Sequence, residues 1–319
     1  MLHQYEETFR RGALNIKAQT KVIRDRTTTA LLDADRGLGH PVSVEAMEMA
    51  IKKAKSHDVG IVCVTNSHHF GAAGYYAELA AHQGLIGIVT TSTRGISMVP
   101  TRGTQPVLGT NPFAFAAPAG KYDPLVLDFA TTVAAVNKVK VRKLRELELP
   151  AGWVNDGDGQ AVLDPNEAIN IFDNKNWGGL NPVGGIGETL GGHKGYGLAI
   201  FSHILSGAMS GASFSPIRVK NSNTDTPDDL GHYFQAINPE SFRTKEDYEA
   251  DIEVVIETLR AVKPRDPEKP VLVPGEPEQI SRKDRKKNGI PINRNLRNLI
   301  REIARNANVE YLLENATTE

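Results

Sequence analysis

Two apolar segments with a helix-forming segment between them constrain the fold of this chain most strongly. The runs VGIVCVT (59–65) and LIGIVT (85–90) are short, rich in β-branched residues and almost free of polar side chains, as buried strands are. Between them, GAAGYYAELAAHQ (71–83) has a helical composition, and Gly84 can end the helix. Strand, helix and strand within about 30 residues indicate a βαβ unit, normally a right-handed crossover between parallel strands. The sequence therefore predicts an α/β fold.

Further elements can be predicted on both sides of this unit. Ser43 precedes VEAMEMAIKKAKSHD, whose apolar residues recur every three or four positions, so we expect a serine-capped helix over 44–57. The glycine-rich segment 176–197 cannot be regular throughout and is typical of a functional loop. The other predictions are strands within 111–118 and 124–130, a basic helix in the 130s and 140s, a packed helix in 197–211, a charged helix over 245–262 and a final helix over 294–308.

The charge balance of this 319-residue chain argues against nucleic-acid and membrane partners. Its 37 basic and 38 acidic residues leave a formal net charge of −1, so no global field attracts a polyanion. The basic run RKDRKK (282–287) could be a nucleic-acid patch, but it has no interleaved aromatic residues and is better interpreted as a solvated face. No apolar run reaches the roughly 20 residues of a membrane span. We expect small ligands held by local charges.

The single cysteine and the first residues predict a cytoplasmic protein. Because Cys63 stands alone, the chain can form neither an intrachain disulfide nor a thiolate metal cluster. A chain without disulfides suits a reducing compartment, and the opening MLHQYEETFRRG lacks the apolar centre of a signal peptide.

The adjacent histidines of NSHHFG are the strongest candidates for chemistry. In extended backbone, consecutive side chains point to opposite faces, so one histidine should pack while the other faces the cleft at the carboxyl end of its strand. His69 is the better catalytic candidate, because Gly71 beside it allows a ligand to approach closely. From these residues alone, two structural histidines bonded to neighbouring carbonyls remain the simpler interpretation.

Other catalytic patterns are not found in the sequence. The remaining histidines, among them His193, His203 and His232, show no HExxH or comparable spacing, so we predict no metal site. Ser67 could pair with His69 as nucleophile and base, but without a GxSxG motif a hydrolase is the weaker hypothesis. The segment GGIGETLGG approaches the dinucleotide fingerprint GxGxxG, yet leucine stands at its third glycine and no strand precedes it. A bound dinucleotide would need another kind of site.

Eight colinear segments cover almost the whole chain: LLDADRGLGH (31–40), NSHHFGAAGYY (66–76), VPTRGTQPVLGTNPFAFAAP (99–118), VLDFATT (126–132), LPAGWVNDGDGQAVLDP (149–165), GGHKGYGLAIFSHILSGAMSGA (191–212), FQAINPESF (234–242) and PGEPE (274–278). Together they resemble the type 2 malate/L-lactate dehydrogenases, whose relatives include ureidoglycolate, sulfolactate and diketogulonate dehydrogenases and Δ1-piperideine-2-carboxylate reductases. The resemblance implies an NAD- or NADP-dependent oxidoreductase of small 2-hydroxy or 2-keto acids, malate-like or L-lactate-like. It implies a non-Rossmann, mixed-sheet α/β fold like that of L-sulfolactate dehydrogenase, and a homodimer.

The same resemblance assigns domains and site residues. It implies a cofactor-binding domain over 59–214 and a second, substrate and dimerisation domain formed by the two chain ends, 1–58 plus 215–319. His69 would be the general acid/base that takes the hydroxyl proton while hydride leaves the same carbon. The implied cofactor contacts are Thr93, Asp128, Phe129, Ala130, Lys194, Pro274, Gly275 and Glu276, and the implied substrate contacts are Tyr5 and the candidate carboxylate-binding arginines Arg94 and Arg102. From the residues alone, Asp128 could equally be a helix cap, and Lys194, Arg94 and Arg102 could be surface residues.

The sequence departs from the family pattern in two places. Relatives carry a Ser-His-Gly motif followed by Arg-Leu-X-X-Tyr, whereas here Leu2 and Tyr5 match but Met1 stands at the arginine position. The alternative hypothesis is therefore an N-terminally shortened, noncatalytic homologue that retains dimerisation or nucleotide binding. Ser92 and the segment VNKVK (136–140) also differ, close to the implied cofactor contacts, and the sequence does not select between NAD and NADP.

Overall fold

A seven-stranded mixed sheet forms the centre of the fold. The computed structural model describes residues 2–220 and 229–313. The strands are β1 (Lys21–Asp25), β2 (Thr29–Asp33), β3 (Val59–Ser67), β4 (Ile86–Thr91), β5 (Phe113–Ala117), β6 (Leu125–Phe129), β7 (Val154–Asn155), β8 (Gly179–Leu180) and β9 (Leu230–Ile237). The large sheet has the order β1-β2-β3-β9-β4-β5-β6, while β7 and β8 pair separately. In the large sheet β2 and β3 are parallel, and the other neighbours are antiparallel.

Ten α-helices surround the sheet in the described part of the chain. They are α1 (Leu2–Arg10), α2 (Gly39–His57), α3 (Ala73–Ala81), α4 (Val136–Leu144), α5 (Pro165–Asn174), α6 (Gly192–Ser202), α7 (Ser215–Lys220), α8 (Lys245–Arg260), α9 (Glu276–Asn288) and α10 (Arg294–Asn306). A π-helical segment, His203–Ala208, continues α6, and Pro239–Ser241 forms a 3₁₀ turn. Within the described ranges, no helix combines the length and apolar character needed to span a bilayer.

The sheet is the middle of three layers. Helices α2 and α3 cover one face, where they bury the main hydrophobic core, and the π-helical segment covers the other. Glycines permit this close packing: a Cβ on Gly60 would lie 2.0 Å from the carbonyl oxygen of Ala50 in α2. A Cβ on Gly231 would lie 1.8 Å from the carbonyl oxygen of Ser206 in the π-helical segment. Larger residues at these positions would push a layer away from the sheet.

The predicted βαβ unit is present, but a strand from much later in the chain lies between its two strands. Strands β3 and β4 flank α3 as expected and run parallel to each other, yet they are not neighbours. β9 lies between them and is antiparallel to both, with Val62 and Val89 each opposite Phe234. Because β9 comes from about 140 residues further along the chain, the local sequence pattern around α3 cannot indicate it.

Two predicted helix boundaries are corrected by the structure. Helix α2 begins at Gly39, and Ser43 is buried inside it rather than capping it. Pro41 is tolerated there because the amides of the first helical turn have no intrahelical partner. The helix predicted over 197–211 begins earlier, at Gly192, and changes to π-helical geometry at His203.

The sheet joins parts of the chain that the domain prediction separates. β1 and β2 come from the first 58 residues and β9 from beyond residue 215, yet β2 pairs with β3 and β9 pairs with β3 and β4. A second domain built from the chain ends is therefore not confirmed. The two ends do meet, since the Arg10 guanidinium donates to the carbonyl oxygen of Asn306 at 3.3 Å.

Candidate active site

A cleft of about 1290 Å³ lies where β3 and β4 end. Its walls include residues that follow these two strands, the end of β6, one face of α1 and the first turn of α4. The strands are held in register by β9, so the loops after β3 and β4 are carried on a rigid support. A cleft at strand ends, on a well-packed sheet, is the usual position for a small-molecule site.

The two histidines have different environments. His68 is 3% exposed, and its Nε2 lies 3.1 Å from the carbonyl oxygen of Ala13. His69 lines the cleft, where its Nδ1 lies 2.5 Å from the Tyr5 hydroxyl and accepts the Gly71 amide at 3.3 Å. Because an amide N–H can only donate, Nδ1 carries a lone pair, and the proton of the neutral His69 ring is on Nε2.

Tyr5 and His40 complete an aromatic group around His69. The ring centroids of Tyr5 lie 5.9 Å from both His40 and His69, and those of the two histidines are 6.2 Å apart. Partial burial raises the pKa of the Tyr5 phenol and lowers the pKa of His40, so both groups favour their neutral forms. His40 was not a candidate from the sequence, because only the fold brings the start of α2 beside β3. In the described ranges, no group of three or more His, Cys, Asp or Glu side chains could hold a metal ion.

Four of the candidate cofactor residues line the cleft: Thr93, Asp128, Phe129 and Ala130. The Thr93 hydroxyl donates to Asn111 Oδ1 at 3.2 Å. Asp128 Oδ2 accepts the Gly74 amide at 2.8 Å in the first turn of α3, although Asp128 belongs to β6 and the N-cap residue of α3 is Ala72. Desolvation raises the pKa of the Asp128 carboxyl, and the Gly74 bond opposes this shift.

The other four candidate cofactor residues and one candidate arginine do not line the cleft. Lys194 is exposed on α6. Pro274, Gly275 and Glu276 precede or begin α9, where Glu276 accepts the Arg260 Nε–H at 2.8 Å.

Arg102, a candidate for the substrate carboxylate, is also separated from the cleft. It forms a 2.7 Å ion pair with Glu188, and its side chain is 78% exposed. The sequence could not separate Arg102 from Arg94, because both follow β4 in a segment without helix or strand.

Besides Arg11, which pairs with Glu7, two arginines of the described chain line the cleft, and one of them was missed from the sequence. Arg94 lines it as expected. Arg218, in the six-residue helix α7, lines it too and is only 5% exposed. Ser215, one turn before Arg218, donates to the Thr93 carbonyl oxygen at 3.2 Å, which anchors α7 beside the Thr93–Arg94 segment. So short a helix has no periodicity to detect, which is why the sequence offered no signal for Arg218.

The charge of the lining suits an anionic ligand. Among the described residues that line the cleft, two are acidic, Glu7 and Asp128, and Glu7 forms an ion pair with Arg11. Cations are in excess, and the volume is large enough for a dinucleotide and a small acid together. The basic lining residues are Arg11, Arg94, Lys138, Lys140, Lys175 and Arg218.

Two further histidines are buried behind the cleft and stay neutral. Burial lowers the pKa of His203 to about 4 and that of His232 to about 3. His203 accepts the Asn111 side-chain amide at 2.8 Å. His232 Nδ1 lies 2.6 Å from the Thr91 hydroxyl, and its Nε2 lies 2.9 Å from the Ser67 hydroxyl.

These lowered pKa values predict an acid-sensitive fold. Between about pH 6.5 and 4 the unfolded chain binds protons at both histidines while the native state does not, so stability is complete above 6.5 and falls as the pH falls. We expect each histidine to contribute a slope of up to about 1.4 kcal/mol per pH unit to the free energy of unfolding. Urea titrations from pH 7 to 5 should show the decline, and His203→Gln should make it shallower. Equal slopes in the variant and the unsubstituted protein would contradict this assignment.

Comparisons with known proteins identify relatives along nearly the whole chain. A model of the malate/L-lactate dehydrogenase family matches residues 1–301. The chain is 39% identical over 311 residues to a malate dehydrogenase of Pyrococcus abyssi, covering 98% of this chain and 83% of that protein. It is 36% identical over 316 residues to an L-sulfolactate dehydrogenase of Methanocaldococcus jannaschii, covering 98% and 86%.

Solved structures share the fold. The malate dehydrogenase of Entamoeba histolytica superposes with a TM-score of 0.90 at 33% identity, covering 96% of this chain and 84% of that one. The sulfolactate dehydrogenase of Methanocaldococcus jannaschii superposes with a TM-score of 0.80 at 36% identity, covering 97% and 84%. The mixed-sheet, non-Rossmann architecture predicted from the sequence is confirmed.

Proposed function

Because this chain belongs to the malate/L-lactate dehydrogenase family, we propose that it interconverts a small 2-hydroxy acid and the corresponding 2-keto acid, with NAD or NADP as hydride carrier and His69 as general acid/base. The protein is an oxidoreductase of the hydroxyacid dehydrogenase type. The observation that carries the proposal is the contact between Tyr5 and His69 Nδ1 inside a cleft with excess positive charge.

The proton moves between the substrate oxygen and His69 through Tyr5. In oxidation the substrate hydroxyl donates to Tyr5 Oη as the phenol proton passes to Nδ1, which leaves an imidazolium at His69. In reduction the same proton returns to the keto oxygen. The raised pKa of Tyr5 supports this role, because the group is a phenol and not a phenolate at both ends of the transfer.

The cofactor would be held by the lining residues that the sequence already indicated. Thr93, Asp128, Phe129 and Ala130 offer a hydroxyl, a carboxylate and apolar surface along one wall. The nearby lysines suit phosphate groups. When bound, the nicotinamide ring supplies the hydride exchange that no side chain can perform.

Arg94 and Arg218 would hold the anionic groups of the substrate. The guanidinium groups of Arg94 and Arg218 favour a substrate with two anionic groups, and both malate and sulfolactate, for which the relatives are named, have two. We therefore expect malate-like or sulfolactate-like acids to be preferred over lactate. The desolvated surroundings of Arg218 strengthen its attraction for a bound anion.

The alternative of a noncatalytic homologue has less support. That hypothesis was suggested by Met1, which stands where the family pattern has an arginine. In the described structure the remaining tyrosine of that pattern, Tyr5, still contacts His69. Relatives that match nearly the whole chain are named as dehydrogenases.

We also propose that the protein is a homodimer in which a second copy covers the outer face of α6 and the π-helical segment. Four large apolar side chains are exposed there: Ile200, Phe201, Ile204 and Met209. An exposed apolar stripe of this kind is typical of an interface. The mass in solution, measured by sedimentation, should be twice that of one chain.

A panel of acids tests the proposed reaction. Oxaloacetate, 3-sulfopyruvate and pyruvate would each be mixed with NADH or NADPH and the protein, and the loss of reduced-nicotinamide absorbance followed. We expect turnover of the two dianionic keto acids and a lower kcat/KM for pyruvate. Binding of reduced cofactor without turnover of any 2-keto acid would instead favour the noncatalytic alternative.

The Arg218→Met variant tests the second anion contact. Losing a charge-assisted hydrogen bond costs about 1.5–3 kcal/mol, so KM for a dianionic acid should rise about 10- to 100-fold. KM for pyruvate should change much less. Arg243→Met, which removes an exposed arginine paired with Asp251, is the matched control and should leave both values unchanged. An equal loss for both acids would argue against selection by Arg218.

A further inference from the structure

We propose that His232 is the positioning residue of the site: its buried ring joins the ends of β3 and β4 and thereby holds the backbone on both sides of His69 in the reactive position. The inference rests on the proposed function of His69 and extends it to a residue that cannot touch the substrate, because His232 is fully buried.

The hydrogen bonds of His232 reach both strands that end at the cleft. On one side, Nε2 lies 2.9 Å from the Ser67 hydroxyl, at the end of β3, and 3.1 Å from the His68 carbonyl oxygen. On the other side, Nδ1 lies 2.6 Å from the hydroxyl of Thr91, the last residue of β4. Because the His68 carbonyl can only accept, Nε2 carries the proton and Nδ1 accepts from Thr91.

His69 lies between two residues that His232 contacts. His68, the residue before it, is hydrogen-bonded to His232 through its carbonyl oxygen. The residue after it, Phe70, stacks on the His232 ring with a centroid distance of 4.6 Å and an interplanar angle of 13°. The peptide groups that orient His69 are thus constrained on both sides, while its own side chain projects into the cleft toward Tyr5.

A histidine suits this position better than other residues. It provides a donor and an acceptor on opposite edges of one flat ring, and both flat faces remain available for stacking. A phenylalanine could stack in the same way, but it would leave the Thr91 and Ser67 hydroxyls and the His68 carbonyl without this partner. Glutamine can replace the donor at Nε2 and so keeps part of the hydrogen bonding between the ends of β3 and β4.

His232 lies in the sheet directly beside the strand ends that carry the catalytic segment, so we expect its substitution to act mainly on that segment. β9 enters the sheet between β3 and β4, and His232 is paired with Val64 of one and Thr91 of the other. β9 continues to pair with β3 as far as Ser67, opposite Leu230, and the Gly231 carbonyl oxygen accepts the Ser92 amide at 3.2 Å. The His232 ring therefore belongs to a group of contacts that fix the ends of β3 and β4 just before the catalytic segment begins.

The test compares His232→Phe and His232→Gln with the unsubstituted protein. A displacement of about 1 Å at a reacting group can cost on the order of 100-fold in rate, so kcat of the phenylalanine variant should fall by about 10- to 100-fold. The dissociation constant of NADH, measured by fluorescence, should stay within about twofold, because the residues proposed to hold the cofactor are unchanged. His232→Gln should recover most of kcat.

The control for a general loss of stability is Ile51→Ala, which removes buried apolar contacts in α2 far from the cleft. At a temperature where all variants are folded, this control should keep kcat within about twofold. Unchanged kcat in His232→Phe, or equal loss of kcat in the control, would overturn the proposal.

A second measurement does not depend on turnover. In ¹⁵N-histidine-labelled protein, the ring nitrogens of His69 report the bond from Tyr5 to Nδ1. This signature should be altered in His232→Phe and retained in His232→Gln. If the unsubstituted protein turned over no keto acid, the proposed function would fail, yet the spectra would still decide whether His232 positions His69. Identical His69 spectra in all variants would overturn the positioning role.

Discussion

Replacing His69 by alanine should lower kcat for 2-keto acid reduction by about 100- to 10,000-fold, the usual contribution of a positioned general acid/base. The reason is geometric: Nδ1 of His69 lies 2.5 Å from Tyr5 and both side chains line the cleft, so the variant has no group at this point to hold the transferred proton. Steady-state rates with the preferred keto acid would measure the loss. NADH binding should be retained, because His69 is not among the residues proposed to hold the cofactor.

The matched control is His57→Ala, at the exposed end of α2. It removes another imidazole far from the cleft and should leave kcat unchanged. Tyr5→Phe should lower kcat as well, since the phenylalanine cannot pass a proton to Nδ1. A His69→Ala enzyme that kept a tenth or more of the activity would show that another group carries the proton.

Replacing Phe234 by alanine should destabilise the protein by about 3–5 kcal/mol, a large part of the roughly 5–15 kcal/mol that stabilises a typical domain. Phe234 is fully buried in β9, at the centre of the sheet. Its ring packs edge-on against Tyr76 at a centroid distance of 5.9 Å and against Phe70 at 6.4 Å. The side chains around Phe234 could not all move inward to fill the cavity that the substitution would leave.

Urea unfolding, followed by circular dichroism, would measure the change. Phe242→Ala is the matched control: this ring is 80% exposed just beyond the same strand, and its removal should change stability by less than about 0.5 kcal/mol. Similar shifts of the unfolding midpoint in both variants would contradict the central role of β9 in the core.

Local patterns predicted the elements whose signals lie within one segment. Strands β3 and β4, helix α3 between them, the strands β5 and β6 and the late helices α8 and α10 were all expected close to where they occur. The alternation of side chains in extended backbone also separated the packed His68 from the cleft-lining His69. Such features depend on contacts between residues that are near each other in the sequence.

The site candidates divide in the same way. Resemblance to the family suggested Thr93 and residues 128–130, and they line the cleft because they lie at or just beyond the ends of β4 and β6. Lys194 and the segment 274–276 were suggested in the same way, but they are not among the lining residues. Arg218 and His40 were missed because neither lies in a pattern that distinguishes it from an ordinary helix residue.

The amino-acid sequence by itself determined an α/β protein with a histidine at the end of a buried strand, because hydrophobic periodicity and strand geometry act over a few residues. Only the tertiary structure decided that β9 separates β3 from β4, that Arg218 and Tyr5 reach the same cleft, and that His232 lies behind His69. Those contacts join residues more than 60 positions apart, and their energy comes from burial and hydrogen bonding that no single segment can achieve alone.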